Sequence, residues 1–97
     1  MVKHVILWKL KPEHDNDTVK AGIKNGLEGL LGVIPGLTEI KVQTESLPSS
    51  TASVMLYSVF ESADALKAYS KNPAHASVAN TKVRPFVDTR LCLDFEI

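Results

Sequence analysis

The sequence has few of the residues that mark a disulfide-stabilised or membrane-spanning protein. It contains one cysteine among 97 residues, so an internal disulfide is impossible and a reducing cytoplasm is the expected location. The sequence has no run of about 18 apolar residues, the length that a membrane span needs. Charged residues interrupt the apolar N-terminus, so we expect no signal peptide. Cys92 falls in a predicted strand, where we expect a small buried apolar side chain.

Neither sign of charge is in excess. Eleven basic and eleven acidic residues give a formal net charge of zero. The basic residues are scattered, and no basic run has aromatic residues interleaved for base stacking. We therefore expect neither a nucleic acid nor a membrane as a partner. Because so short a chain buries a limited share of its surface, we expect self-association to stabilise it.

What the sequence does contain is a regular succession of strand and helix patterns. Val2–Lys11 alternates as a strand, and Val5 and Leu7 make its second face apolar as well, which predicts cover on both sides. An amphipathic helix of roughly four turns is predicted over 19–34, and three further strands over 37–44, 54–60 and 89–97. A second helix is predicted to start at 61–64, to be interrupted at Pro73 and to resume over 74–83.

Glycines recur inside the first predicted helix. Each costs about 0.5–1 kcal/mol relative to alanine in a helix interior. Their repeated spacing therefore predicts close approach to another part of the chain. These glycines are Gly22, Gly26, Gly29 and Gly32.

The predicted order β-α-β-β-α-β indicates one domain over residues 1–97. Right-handed crossovers fold this order into a ferredoxin-like α+β domain, a four-stranded antiparallel sheet with both helices on one face. The other face would be bare and apolar, and two-fold pairing of such sheets is the simplest cover. The sequence thus predicts a homodimer in the form of a dimeric α/β barrel.

Histidine and tyrosine are the candidates for chemistry. His4 lies on the face of the first strand that turns toward the helices, whereas His14 falls in a polar turn and is expected at the surface. Tyr69 and His75 bracket Pro73, which lets the chain turn so that both can converge on His4. A tyrosine hydroxyl beside a neutral imidazole can orient a substrate oxygen while the histidine moves a proton. The alternative is structural: a satisfied core histidine and a capped helix junction.

At these residues the chain resembles the stress-responsive A/B barrel (Dabb) family, over essentially its whole length. The resemblance implies the dimeric ferredoxin-like barrel that strand order predicts. Members of the family include boiling-stable plant stress proteins, many bacterial proteins, and plant polyketide cyclases that close a ring by aldol condensation. The segments that carry the resemblance are 3–11 (KHVILWKLK), 33–37 (VIPGL), 60–69 (beginning FES), 72–75 (NPAH), 83–85 (VRP) and 94–95 (DF).

The resemblance to the cyclases also implies a site. His75 matches the catalytic histidine and Tyr69 its tyrosine partner, and His4 matches a histidine of the same pocket. The cyclases carry a further pocket tyrosine where this chain has Leu27, so the match to that reaction is incomplete. The expected pocket walls are Ile6, Trp8, Leu27, Leu56 and Ser58.

Three functions of different classes follow. The first is an enzyme that acts on a small carbonyl compound, with His75 as general base and Tyr69 and His4 holding the enolate oxygen. The second is a binding or stress-protective module without turnover, since a shared fold does not imply a shared activity. The third is a cofactor-independent monooxygenase or a haem-binding member of the wider barrel group, with His4 or His75 as the axial ligand of haem.

We expect no cofactor and no metal site. His4 and His75 supply two nitrogen ligands, and Asp94 is the one nearby carboxylate that strand geometry offers. Zinc sites need three or four ligands at recognisable spacings, which this sequence does not show.

Overall fold

Four β-strands, three α-helices, a π-helical segment over Ala79–Val83 and two 3₁₀ turns make up the chain, and the computed structural model describes all 97 residues. None of the helices is both long and apolar enough to cross a bilayer. In chain order the elements are β1 (Val2–Leu10), α1 (Asp17–Glu28), β2 (Leu37–Gln43), β3 (Val54–Phe60), α2 (Ala63–Lys71), α3 (Pro73–Val78) and β4 (Val87–Glu96).

The strands form one antiparallel sheet in the order β2-β3-β1-β4. This is the ferredoxin-like α+β arrangement that the sequence predicts, with β1 in an inner position between β3 and β4. The register places His4 directly opposite Ser58 on one side and Asp94 on the other. Side chains of opposed residues point to the same face of a sheet, so these three lie in one row beneath the helices.

Helix α1 is shorter than the apolar periodicity indicates. The Asn16 side chain caps its start by accepting a hydrogen bond from the Val19 amide. The helix ends at Glu28, and the predicted extension to residue 34 is wrong, because the chain passes into turns in which Gly32 has a φ of +86°. Few residues other than glycine adopt that conformation readily. The apolar pattern continues past the helix end because the turns still pack against the core.

Close approach explains one glycine of α1 directly. A Cβ atom at Gly26 would lie 2.9 Å from a methyl group of Val78 in α3. A Cβ at Gly22 would meet its nearest neighbour, Lys82, at 3.8 Å, an ordinary contact. The expectation of close approach is therefore confirmed at Gly26, where α1 crosses α3.

The hydrophobic core lies between the helices and the sheet face that carries Ile6, Trp8 and Leu10 of β1. The opposite face carries no helix. Its largest exposed apolar side chains are Leu7, Leu91, Leu93 and Phe95, with Leu91 65% and Leu93 64% exposed. A patch of large apolar side chains on a regular sheet is the surface that the sequence analysis expects a second copy to cover.

Strand β4 is an edge strand, and this changes the environment of Cys92. The prediction that Cys92 is buried is wrong, because its side chain is exposed. It lies on the helix-facing side of β4, opposite Ile6, but only β1 flanks this strand. The thiol therefore has no neighbouring strand on its outer side and is exposed to solvent.

Candidate functional site

A cavity of about 660 Å³ lies between the helix-facing side of the sheet and helices α2 and α3. Apolar residues supply most of its lining, together with several polar and charged side chains, and a mainly apolar lining is usual for a small-molecule site. Seven of the eight residues named from the sequence line this cavity: His4, Ile6, Trp8, Leu27, Leu56, Tyr69 and His75.

Ser58 is the eighth, and it does not line the cavity. Its side chain is fully buried, and its hydroxyl donates a 3.1 Å hydrogen bond to the carbonyl oxygen of His4. The residue therefore ties β3 to β1 beneath the site. The strand pattern predicted the correct sheet face for Ser58, but not the hydrogen bond from its hydroxyl to the backbone.

Hydrogen bonding within the sheet fixes the position of His4. Its imidazole is buried, with 7% of the residue exposed, and its Nδ1 bonds to the carboxylate of Asp94 on β4. Because Nδ1 is engaged, Nε2 is the remaining polar atom of the ring. The partner of this buried histidine is thus a carboxylate beside the cavity and not a helix-end carbonyl.

The junction between α2 and α3 brings Tyr69 and His75 together. Asn72 is extended before Pro73, as the residue preceding a proline usually is, and its side chain accepts a hydrogen bond from the Ala74 amide to start α3. The chain turns here, and the rings of Tyr69 and His75 lie with centroids 4.1 Å apart at 41°. The Tyr69 ring also meets the His4 ring at 6.2 Å, edge to face.

Two polar atoms at this junction have no hydrogen-bond partner in the chain. They are the Tyr69 hydroxyl and Nδ1 of His75, and both are buried. An unsatisfied buried polar group costs about 1–3 kcal/mol, and such groups are uncommon in folded proteins. Both residues line the cavity, so a ligand with matching polar atoms is one means of satisfying them.

Burial sets the protonation of this pair. Burial raises the pKa of Tyr69 to about 12, so its hydroxyl stays protonated and acts as a hydrogen-bond donor at neutral pH. Burial first, and then the charges of Arg84, His4 and Arg90, lower the pKa of His75 below 6.5. Its imidazole is therefore neutral at pH 7. A neutral imidazole can accept a proton, and a protonated phenol beside it can donate a hydrogen bond to a ligand oxygen.

Strand β4 places Cys92, which was not predicted at the site, beside Asp94, the carboxylate that strand geometry had offered. Cys92 Sγ lies 3.4 Å from Asp94 Oδ1 and 3.7 Å from His4 Nδ1, and the three donor atoms lie within 4.8 Å of one another. One imidazole, one thiol and one carboxylate could together hold a divalent metal ion. Burial and the nearby Asp94 carboxylate raise the pKa of the thiol, so metal binding there would have to displace its proton.

Arg84 and Arg90 also line the cavity and were not predicted to do so. Arg90 lies on β4 opposite Trp8, and Arg84 begins the 3₁₀ turn that follows the helices. The alternation of side chains along β4 could have predicted the position of Arg90 at the cavity. Arg90, Cys92 and Asp94 share the period-two face that adjoins His4, Ile6 and Trp8.

The fold and the cavity define a ferredoxin-like α+β domain of the dimeric barrel class, with a His- and Tyr-lined pocket on the helix side of the sheet. The model of the stress responsive A/B barrel domain (Dabb) matches residues 2–97. The chain therefore belongs to the Dabb family.

Solved structures agree with this assignment. A dimeric ferredoxin-like protein of unknown function from Bacteroides fragilis is 29% identical, with a TM-score of 0.90 over 99% of this chain and 95% of that one. No curated protein matches the chain in sequence.

More distant structures show the same fold in proteins with named activities. A hydroxynitrile lyase from Passiflora edulis is 19% identical, with a TM-score of 0.73 over 99% of this chain and 92% of that one. A putative antibiotic biosynthesis monooxygenase from Nitrosomonas europaea is 11% identical, with a TM-score of 0.77 over 99% and 97%. At these identities the likeness concerns the fold alone.

Proposed function

We propose that this chain binds a small carbonyl compound in the 660 Å³ cavity and removes a proton from the carbon next to the carbonyl group. The observation that carries the proposal is the pair of unpartnered buried atoms, the Tyr69 hydroxyl and His75 Nδ1, on rings 4.1 Å apart. The pair offers one hydrogen-bond donor and one proton acceptor to a bound ligand.

Each polar residue has a separate role. His75, kept neutral by its surroundings, accepts the α-proton, so that the C–H bond breaks and its electrons move into the carbonyl to form an enolate. The Tyr69 hydroxyl donates a hydrogen bond to the enolate oxygen. His4, oriented by Asp94, lies on the other side of Tyr69 and stabilises the same oxygen when Nε2 carries a proton.

The apolar walls select the ligand and exclude water. Ile6, Trp8, Leu27 and Leu56 line the cavity, and water exclusion strengthens the hydrogen bonds to a developing enolate. Leu27 makes the α1 wall apolar, so this chain supplies no hydroxyl from that helix. Reactions that begin with an enolate, including aldol addition, are accessible to this set of groups.

We also propose that the chain forms a homodimer and is located in the cytoplasm. A second copy would cover the apolar sheet face of Leu7, Leu91, Leu93 and Phe95. The structure of the same fold from Bacteroides fragilis is dimeric. A cytoplasmic location fits the single free thiol of Cys92, since reducing compartments keep such thiols unpaired.

Deuterium exchange tests the proton-transfer step. Phenylacetone carries α-protons that exchange slowly with neutral water, so catalysed loss of its α-proton signal in D₂O can be followed by NMR. We expect the wild-type chain to accelerate exchange by about 10²-fold or more, the size of a positioned general base. His75→Gln should abolish the acceleration, and Tyr69→Phe should reduce it.

His14→Gln is the matched control, since it removes a histidine that packs against Phe86 and lies outside the cavity. This variant should keep the wild-type rate. Binding of phenylacetone without exchange would favour the non-catalytic binding module. Exchange at equal rates in the wild type and in His75→Gln would contradict the proposed role of His75.

A further inference from the structure

We infer that the ligand of this cavity carries a carboxylate, which is held by Arg84 and Arg90, so that the ligand class is an oxo acid. The inference rests on the proposed function and narrows its substrate. It is based on the location of the arginine residues. The sequence has two, and both line the cavity.

The two guanidinium groups have no carboxylate partner in the chain. The salt bridges of the structure involve His4, Lys20 and Lys24, and neither arginine takes part in one. Arg84 donates a hydrogen bond to the neutral side-chain oxygen of Asn80, which orients the guanidinium without cancelling its charge. Both positive charges are therefore available to an anion.

The cavity as a whole carries an excess of positive charge. Its cationic residues are Lys67, Arg84 and Arg90, and its one carboxylate is Asp94. That carboxylate is already bonded to His4. An anionic group of a ligand would thus meet a positive field, and arginine in particular matches the planar geometry of a carboxylate with two parallel hydrogen bonds.

The positions of the charges relative to His75 fit an oxo acid. Both arginines line the cavity that His75 also lines, and their charges add to burial in lowering the pKa of this imidazole. Both arginines are exposed, whereas Tyr69 is only 2% exposed. A ligand with its carboxylate at the mouth and its carbonyl group further in would engage both sets of groups at once.

A matched pair of ligands tests this inference. Phenylpyruvate and phenylacetone share one skeleton, with a carboxylate in the first where the second has a methyl group. Calorimetric titration of the full chain should show phenylpyruvate bound about tenfold more tightly or better, as expected for charge-assisted hydrogen bonds. Arg84→Gln and Arg90→Gln should each weaken phenylpyruvate about fivefold or more and leave phenylacetone unchanged. Lys71→Gln, which removes a charge outside the cavity, should change neither affinity.

The outcomes separate this inference from the proposed function. Equal affinities for the two ligands in the wild type, or an arginine variant that binds phenylpyruvate as tightly as the wild type, would overturn the carboxylate site. His75-dependent exchange of phenylacetone would then still stand. Failure of the wild type to bind either ligand would overturn the inference and the proposed function together.

Discussion

The phenol of Tyr69 and the imidazole of His75 pack against each other, with ring centroids 4.1 Å apart, and each has a buried polar atom without a partner. Packing of this kind stabilises the apolar parts of both rings. The packing supplies no hydrogen-bond partner to the Tyr69 hydroxyl or to His75 Nδ1. The pair therefore combines a stable position with unsatisfied hydrogen-bonding capacity, which is what a preorganised binding site requires.

Tyr69→Phe separates stability from binding. The substitution removes only the unpartnered hydroxyl and keeps the ring, so we expect the free energy of unfolding to stay the same or rise by about 1 kcal/mol. The affinity for phenylacetone should fall, because the donor to the carbonyl oxygen is lost. Urea unfolding and calorimetric titration measure the two effects. A loss of stability above about 1 kcal/mol would mean that the hydroxyl has a partner in the folded protein.

The lowered pKa of His75 predicts a dependence of stability on pH. The folded chain binds the His75 proton less readily than the unfolded chain, whose histidine has its ordinary pKa of 6.5. The contribution of neutral His75 is therefore fully present above that pH and is lost as the pH falls toward the lower pKa of the folded state.

Urea unfolding at pH 7.5 and pH 5.5 checks this sign. The wild type should lose more stability on acidification than His75→Gln does, because the variant has no imidazole to protonate at that position. His14→Gln should follow the wild type. Parallel losses in the wild type and in His75→Gln would show that the pKa of His75 is not lowered by folding.

Gly26→Ala and Gly22→Ala should have opposite effects. Alanine at Gly26 would place its Cβ 2.9 Å from Val78, and overpacking of this kind costs about 1–3 kcal/mol. Alanine at Gly22 meets only an ordinary contact at 3.8 Å, so helix propensity should stabilise the chain by about 0.5–1 kcal/mol. Thermal unfolding of the two variants measures the difference. Equal stabilisation by both would contradict the close approach of α1 and α3.

The sequence predicts the topology well because each strand has a clear alternation and because Pro12, Pro35 and Pro73 interrupt the chain between elements. It also predicts the inward faces of His4 and Tyr69, since period-two and helical spacing determine them. The end of α1 could not be predicted in this way, because apolar residues continue at helical spacing into turns.

The polar contribution of β4 was harder to predict for a different reason. In an isolated chain the apolar residues of a strand are expected to face the core. In β4 the apolar side chains Leu91 and Leu93 face away from the helices, and Arg90, Cys92 and Asp94 face the cavity. The proposed second copy on the apolar face accounts for this arrangement. The contact of Asp94 with His4 depends on strand register, which the sequence alone does not specify.

Leu93→Asp tests the proposed dimer. Leu93 is 64% exposed on the open sheet face, so a charge there should leave the fold of one copy intact and prevent pairing. Sedimentation of the wild type should give twice the chain mass of 10.6 kDa, and the variant should sediment as a monomer. Leu47→Asp is the control, because Leu47 is even more exposed than Leu93 but lies in a loop outside the strands. A wild-type monomer would contradict the proposed assembly.

Fluorescence of Trp8 tests the central claim, that the pocket formed by Tyr69 and His75 binds a carbonyl compound. Trp8 is the chain's single tryptophan, lines the cavity and is buried in its wall, so its emission reports directly on occupancy. Titration with phenylacetone should change the emission saturably, with an affinity at least about fivefold weaker in the double variant Tyr69→Phe, His75→Gln, since the hydrogen bond from Tyr69 to the carbonyl oxygen is lost. No saturable change in the wild type, or the same affinity in the double variant, would contradict the account.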